Sequence, residues 1–258
     1  MGEEGLAARL GKAQTARYEY PLLRRLMAAA EVGRVPIVAE TCRPPGGSPR
    51  DVAEAAALLL EAGADAVAVR TGSADTPDGM ADLTAASREI EGRPALRGSP
   101  LFMRDWVLHP LQLVDAVDAG ATGVIGIVAQ VTGPKGALSL GSFGAALGLD
   151  TPVEVVNAQE AEALAAGGAA LFAINTSVGL TVSIPGFKQS VTRGIIRTLP
   201  FGCAALVGCA TVDDARAARA AEDKCDAVFV RAESFDGLDA RGVRDLLEGM
   251  QYAMSGDD

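Results

Sequence analysis

The sequence predicts a single (β/α)8 barrel with an extra N-terminal helix. Three observations lead there. Short apolar, β-branched runs recur eight times along the 258 residues, each followed by an alanine-rich stretch of helical period. The runs are apolar on both faces, as parallel strands buried on both sides must be. A chain of this length suits one barrel domain, and the Gly-x-Gly-x-x-Gly first turn of a doubly wound open sheet is absent.

The elements follow in order. Residues 1–33 precede the first strand as a helical extension. Within them Leu22, Leu23, Leu26, Met27 and Ala30 are spaced to form an apolar stripe, which would cap one barrel mouth. The barrel is expected over 34–254, with a solvated tail at 255–258. Strands are predicted at 35–40, 66–70, 100–104, 123–128, 152–156, 170–175, 203–208 and 226–231. Helices are predicted at about 49–62, 78–90, 110–119, 136–147, 158–166, 187–198, 211–223 and 239–253. Ser48-Pro49 supplies an N-cap and first helical residue, and Gly63 closes that helix. Gly120 ends the third helix. Thr211 opens the seventh, with Asp213 and Asp214 near the positive end of its dipole. Gly133-Pro134-Lys135-Gly136 lacks the frame of a phosphate loop and reads as a turn.

Composition excludes several classes. Formal charge is −10, from 33 acids against 23 bases, which argues against nucleic acid or anionic membrane as partners. No apolar run reaches the roughly 18 residues that span a bilayer. The acidic start Met1-Gly2-Glu3-Glu4-Gly5 reads as neither a secretory signal nor a transit peptide. A soluble protein of the cytoplasm is expected, or of a stroma-like organelle interior if a transit peptide has been removed. Four cysteines without a C-x-x-C pair, and one histidine, argue against a disulfide framework, a zinc site or a histidine-based triad. Neither a metal nor a cofactor is expected.

Chemistry in such barrels sits at the C-terminal strand ends. Those ends read Ala39-Glu40-Thr41-Cys42-Arg43, Met103-Arg104-Asp105-Trp106, Val153-Glu154-Val155, Ala173-Ile174-Asn175-Thr176-Ser177, Leu206-Val207-Gly208 and Val230-Arg231-Ala232-Glu233. In that order and spacing the chain resembles the indole-3-glycerol-phosphate synthase family of the tryptophan pathway, from about Val35 to Glu233. The connecting segments Glu61-Ala-Gly-Ala-Asp-Ala-Val and His109-Pro110-Leu111-Gln112-Leu113 match as well. The resemblance implies a barrel of the ribulose-phosphate-binding type and a decarboxylating ring closure on a phosphorylated substrate.

It also implies roles, residue by residue. Glu40, Glu154 and Asn175 stand where the family has its first-strand glutamate, catalytic base and sixth-strand asparagine. Arg104 stands where the family has the lysine that acts as general acid. Cys42 replaces a second lysine, and Ser177 replaces an arginine. In the seventh strand Leu206-Val207 replaces Glu-Ser with Gly208 retained; around the phosphate, Pro45-Gly46-Gly47 replaces Ser-Pro-Ser and Arg231 replaces a glycine.

These replacements bear on the chemistry. A general acid must release its proton near working pH, and an arginine does not. Loss of one such acid costs roughly 10²–10⁴-fold in rate. The four lysines, Lys12, Lys135, Lys188 and Lys224, lie away from the predicted strand ends. Candidate catalytic residues, if any chemistry survives, are therefore Glu40, Arg104, Glu154 and Asn175. Candidate binding residues are Cys42, Arg43, Gly208 and Arg231.

Milder readings stand beside these. Glu40 and Glu154 serve equally as mouth carboxylates paired to Arg43 or Arg104. Cys42 beside Arg43 is a nucleophile only with an activating base, and His109 reads as a helix cap. Trp106 reads as a packed aromatic at the barrel mouth. Two functions are expected on these grounds. One is a synthase-like barrel without ring closure, kept as a binding or structural subunit among protein partners. The other is a divergent enzyme acting on a small anionic ligand at an open, positively lined mouth.

Overall fold

The computed structural model describes residues 21–72, 78–175, 187–220 and 225–255. Helix α1 (Pro21–Glu31) leads into strand β1 (Ile37–Thr41), and strands and helices then alternate. In order these are α2 (Pro49–Glu61), β2 (Ala66–Arg70), α3 (Gly79–Gly92), β3 (Leu101–Arg104), α4 (Pro110–Asp118), β4 (Gly123–Ile125) and β5 (Ile127–Val128). Then come α5 (Ala129–Ala146), β6 (Val153–Val155), α6 (Ala158–Ala166), β7 (Leu171–Ile174), α7 (Phe187–Thr198), β8 (Ala204–Cys209), α8 (Val212–Ala220), β9 (Ala227–Val230) and α9 (Ala240–Ser255). A single 3-10 turn, Ala232–Phe235, follows β9.

All pairings are parallel, in the order β4-β3-β2-β1-β9-β8-β7-β6-β5. The expected fourth strand is split at Gly126 into β4 and β5. Its first half pairs with β3 (Phe102↔Gly123) and its second half with β6 (Ile127↔Val153). A bridge between Gly123 and Asp150, with Val124 N–H donating to Asp150 O at 2.9 Å, joins the two sides. One broken stave thus closes the sheet into an eight-position barrel. Gly126 has φ 135°, and a Cβ there would lie 1.5 Å from Asp105 O, so only glycine makes this break.

Side-chain alternation divides the core in two. Val38, Ala66, Ala68, Phe102, Ile125, Ala173, Leu206 and Ala227 point into the barrel. Val67, Val69, Leu83, Ala86, Ile90 and their neighbours fill the layer between strands and helices. The two periodicities in the sequence, two for strands and 3.6 for helices, place each set.

Helix α1 buries Leu22 and Leu26 in the inner cluster, beside the first inward residues of β2 and β9. The Leu22 N–H donates to buried Asp150 Oδ2 at 2.9 Å, which ties the start of this helix to the barrel floor. Each leucine contributes about 2 kcal/mol of burial. Met27, expected on the same stripe, is exposed instead, because Ala29 takes the inward position on the next turn. The side chains of Leu23 and Ala30, and residues 1–20, lie outside the described residues.

The helix caps match their sequence signals. Asp51 accepts from Ser48 N–H at 2.7 Å, and Thr211 and Asp214 exchange hydrogen bonds at the start of α8. His109 Nδ1 accepts from Leu111 N–H at 3.1 Å while Gln112 Oε1 accepts from His109 N–H at 3.0 Å, so His109 caps α4. Gly133, at φ 68°, breaks α5 after its first turn, where Pro134 starts the longer segment. The helix expected from residue 136 is that second segment.

Candidate functional site

Strand alternation carries the site. The inward positions that follow Val38, Ala68, Phe102 and Ala173 are Glu40, Arg70, Arg104 and Asn175. Each sits one step nearer the C-terminal mouth than the apolar floor. Glu154 of β6, Gly208 of β8 and Arg231 after β9 complete the ring. The register sets Arg70 of β2 directly beside Arg104 of β3. Two like charges side by side are tolerable because each guanidinium is bound to its own carboxylate.

Arg104 belongs to the first cluster. Its Nη1 lies 2.9 Å from Glu154 Oε1 and its Nη2 lies 3.4 Å from Oε2. Asn175 Nδ2 donates to the same Oε2 at 2.7 Å. Glu154 is almost wholly buried, and among the described residues its Oε1 accepts no hydrogen bond. The short Nη1 contact compensates its charge without aiming an N–H at it.

Arg70 holds the second cluster. Its Nη2 lies 2.6 Å from Glu40 Oε2 and 2.7 Å from Glu233 Oε1. The hydrogen bond to Glu40 raises the Arg70 pKa above its ordinary value despite partial burial. Ala232 N–H, the first donor of the 3-10 turn, gives its bond to Glu40 Oε2 at 3.2 Å. Burial works to raise the Glu233 carboxyl, but its own backbone N–H, then Arg70 and Arg231, outweigh it and hold it low.

A cavity of about 210 Å³ opens at the C-terminal end of β8. It is lined by Arg104, Glu154, Asn175, Gly208 and Arg231, with Ile125, Ala173, Leu206 and Phe229 as its apolar wall. Five of the eight candidate residues thus meet around one space. Glu40 does not join them, so it and Glu154 do not form an acid/base pair across one cavity. Arg43 also lies elsewhere. Its Nε donates to Asp82 Oδ1 at 3.0 Å, drawing the guanidinium onto buried Asp82 of α3 and away from both mouth carboxylates.

Cys42 sits beside the second cluster. Burial is the main cause that pushes its thiol pKa up; Arg70 pulls it down, and Glu40, Glu233 and Asp236 raise it further. This is the reverse of an activated nucleophile. Trp106 is half exposed and does not fill the mouth, and Leu206 and Val207 line the cavity without closing it. Among the described residues the mouth is therefore open, and its charged lining is balanced where a positively lined mouth was expected. Ser177 lies outside the described residues.

Arg70 was not among the sequence candidates. Its signal is the β2 alternation itself, since Ala66 and Ala68 share its face. Asp105 has a structural task, accepting from Trp106 N–H at 2.6 Å and from Thr71 Oγ1 at 3.3 Å. Among the described residues no three metal-ligating side chains converge, and no lysine lines the cavity.

The model of one family, indole-3-glycerol phosphate synthase, matches residues 13–223. The chain belongs to that family. No curated protein matches it. Among solved structures, this synthase-family chain is similar to the tryptophan synthase alpha chain of Legionella pneumophila subsp. pneumophila, at 15% identity over 97% of this chain and 99% of that one, TM-score 0.66. It is similar to tryptophan synthase from M. tuberculosis, at 13% identity over 90% and 96%, TM-score 0.62. A native KDPGal structure matches at 15% identity over 85% and 94%, TM-score 0.64. At these identities the likeness is one of fold. No helix among the described residues is long and apolar enough to cross a membrane.

Proposed function

We propose that this synthase-family barrel does not catalyse ring closure and serves as a binding component of a larger assembly. One observation carries the reading. At the position of the family's proton-donating lysine stands Arg104, already bound to Glu154, the residue that matches the family's base. A guanidinium does not release a proton at working pH, and the carboxylate bound to it already has its partner. Two further features support the reading. Arg70 draws Glu40 and the Ala232 N–H into an internal network away from the cavity. Trp106 and Leu108, 49% and 58% exposed, offer apolar surface beside the mouth of the kind that partners cover.

A steady-state assay with the phosphorylated anthranilate-deoxyribulose substrate tests the lost activity. No turnover above the uncatalysed rate is expected, and turnover near ordinary enzyme rates overturns the reading. Size-exclusion chromatography and pull-down test the assembly, which a monomer without partners would contradict. The second reading, a divergent enzyme on an anionic substrate, draws on the open cavity and Arg231. It requires activity that is lost in Glu154→Gln.

A further inference from the structure

We propose that two copies of this chain pair through the face formed by α4 and α5, with the α5 helices antiparallel about a two-fold axis. The proposal rests on the assembly half of the preceding reading, names the partner as a second copy, and is independent of the lost activity. Charge comes first. A chain of net charge −10 repels its own copy wherever acids face acids. Helix α5 is the exception. At 18 residues it is the longest helix described, yet Lys135 is its one charged residue. Every other α-helix described carries two or more. Between Asp118 and Asp150 the sequence holds no other charge than Lys135.

Burial shows which side of α5 is left outside. Ala137, Leu140 and Gly144 turn inward, while Lys135, Ser139, Ser142 and Ala146 stand exposed at helical spacing on the opposite side. Residues beside a two-fold axis meet their own counterparts. A charge in the middle of this row would meet the same charge, whereas Ser139 and Ser142 meet theirs without repulsion. A partner chosen by opposite charge finds no row of charges to match. A copy of the same acidic chain finds the surface that does not repel it.

The mouth end of this face adds apolar surface. Leu111 and Val131 are exposed in the first turns of α4 and α5, and Trp106 and Leu108 in the loop that enters α4. From Trp106 to Val114 there is no Asp, Glu, Lys or Arg. Gln112 fixes the loop, since its Nε2 donates to Trp106 O and its Oε1 accepts from Leu108 N–H, each at 2.8 Å. A surface already held in one conformation loses little entropy on docking.

Lys135 sets the orientation. It lies about 16 Å along α5 from Ala146. Exposed Asp118 ends α4 at the Ala146 end, where the Gly123–Asp150 bridge joins the segments that follow the two helices. Parallel copies would set Lys135 against Lys135. Antiparallel copies bring Lys135 of one to the Asp118 end of the other, and seat each apolar rim on the far ends of α4 and α5.

Sedimentation equilibrium of the full chain tests the pairing. Trp106, the sole tryptophan, gives a second readout confined to this face. A dimer of twice 26.3 kDa is expected at micromolar concentration, with Trp106 emission shifting to the red on dilution. The double variants Ser139→Glu with Ser142→Glu, and Ser139→Lys with Ser142→Lys, place like charges across the axis. Each should raise the dimer Kd at least about tenfold. Glu and Lys suit an exposed helix as well as Ser does, so both variants should keep the wild-type circular dichroism. Mixed in equal amounts, the two variants should pair again, because Glu then faces Lys.

A wild-type dimer indifferent to these variants overturns the proposal, as does a mixture that stays monomeric. A wild-type monomer that pulls down a different protein overturns self-pairing and leaves the larger assembly standing. Turnover of the phosphorylated substrate by a dimer overturns the lost activity and supports the pairing.

Discussion

Arg104 and Glu154 illustrate how a pair can be necessary only to itself. Removing one partner strands the other in a partly buried site, and Glu154→Leu should cost about 3 kcal/mol. The double variant Arg104→Met with Glu154→Leu should recover much of that loss, because a well-packed apolar pair replaces the ions. Urea unfolding of the three proteins measures the difference, and additive losses would contradict it. Cys209 gives a pH dependence. Burial, then Asp214, pushes its thiol from an ordinary 9.0 up to about 12. Between those values the unfolded thiol loses its proton while the folded one keeps it, so stability should fall as pH rises. The contribution is intact below about pH 9, then declines by about 1.4 kcal/mol per pH unit. Cys209→Ala should flatten the pH 9–12 slope in thermal melts.

At this scale the sequence was legible wherever a strand was still running. Arg104, Glu154, Asn175, Gly208 and Arg231 lie on or just past strand ends, where period-two alternation fixes direction, and they share the cavity. Cys42 and Arg43 fall after β1 ends at Thr41, where no period applies. The destination of Arg43 depended on Asp82, 39 positions away on α3, a partner no local pattern announces. Arg70 carried the right signal on β2, but the resemblance directed attention to other strand ends.

Helices and strands were more readable than their breaks. The caps at Ser48, His109 and Thr211 announce themselves by residue type and spacing, because each satisfies a fixed set of orphan N–H groups. His109→Ala should destabilise the fold by about 1 kcal/mol in denaturant titrations, through the start of α4. The split of the fourth stave was not readable, since a glycine inside an apolar run marks a bulge only when a neighbouring backbone crowds it. Asp105 O supplies that crowding. Gly126→Ala should therefore lose several kcal/mol or fail to fold, whereas Gly168→Ala, at positive φ in open space, should cost only about 1 kcal/mol. Comparable losses at both sites would contradict this account of closure. Met27 is a smaller case: its spacing suits the stripe of α1, but the stripe facing the barrel floor is narrow and Ala29 fills it.

The whole molecule follows from repetition. Eight strand-helix units with doubly apolar strands have few ways to bury themselves, and a closed barrel is one. Chemistry does not follow from the frame in the same way, because a few mouth residues can be exchanged while the core is untouched. Here the charged mouth residues turn toward each other. Glu154 holds Arg104, Glu40 holds Arg70, and Asp214 and Glu40 accept from backbone N–H groups after β8 and β9. The most direct measurement is a single-turnover experiment, with the protein in excess over the phosphorylated anthranilate-deoxyribulose substrate and indole fluorescence followed for hours. Excess protein removes weak binding as an explanation and exposes even very slow chemistry. A trace indistinguishable from the protein-free control is expected; a stoichiometric rise in product would contradict the proposed loss of ring closure.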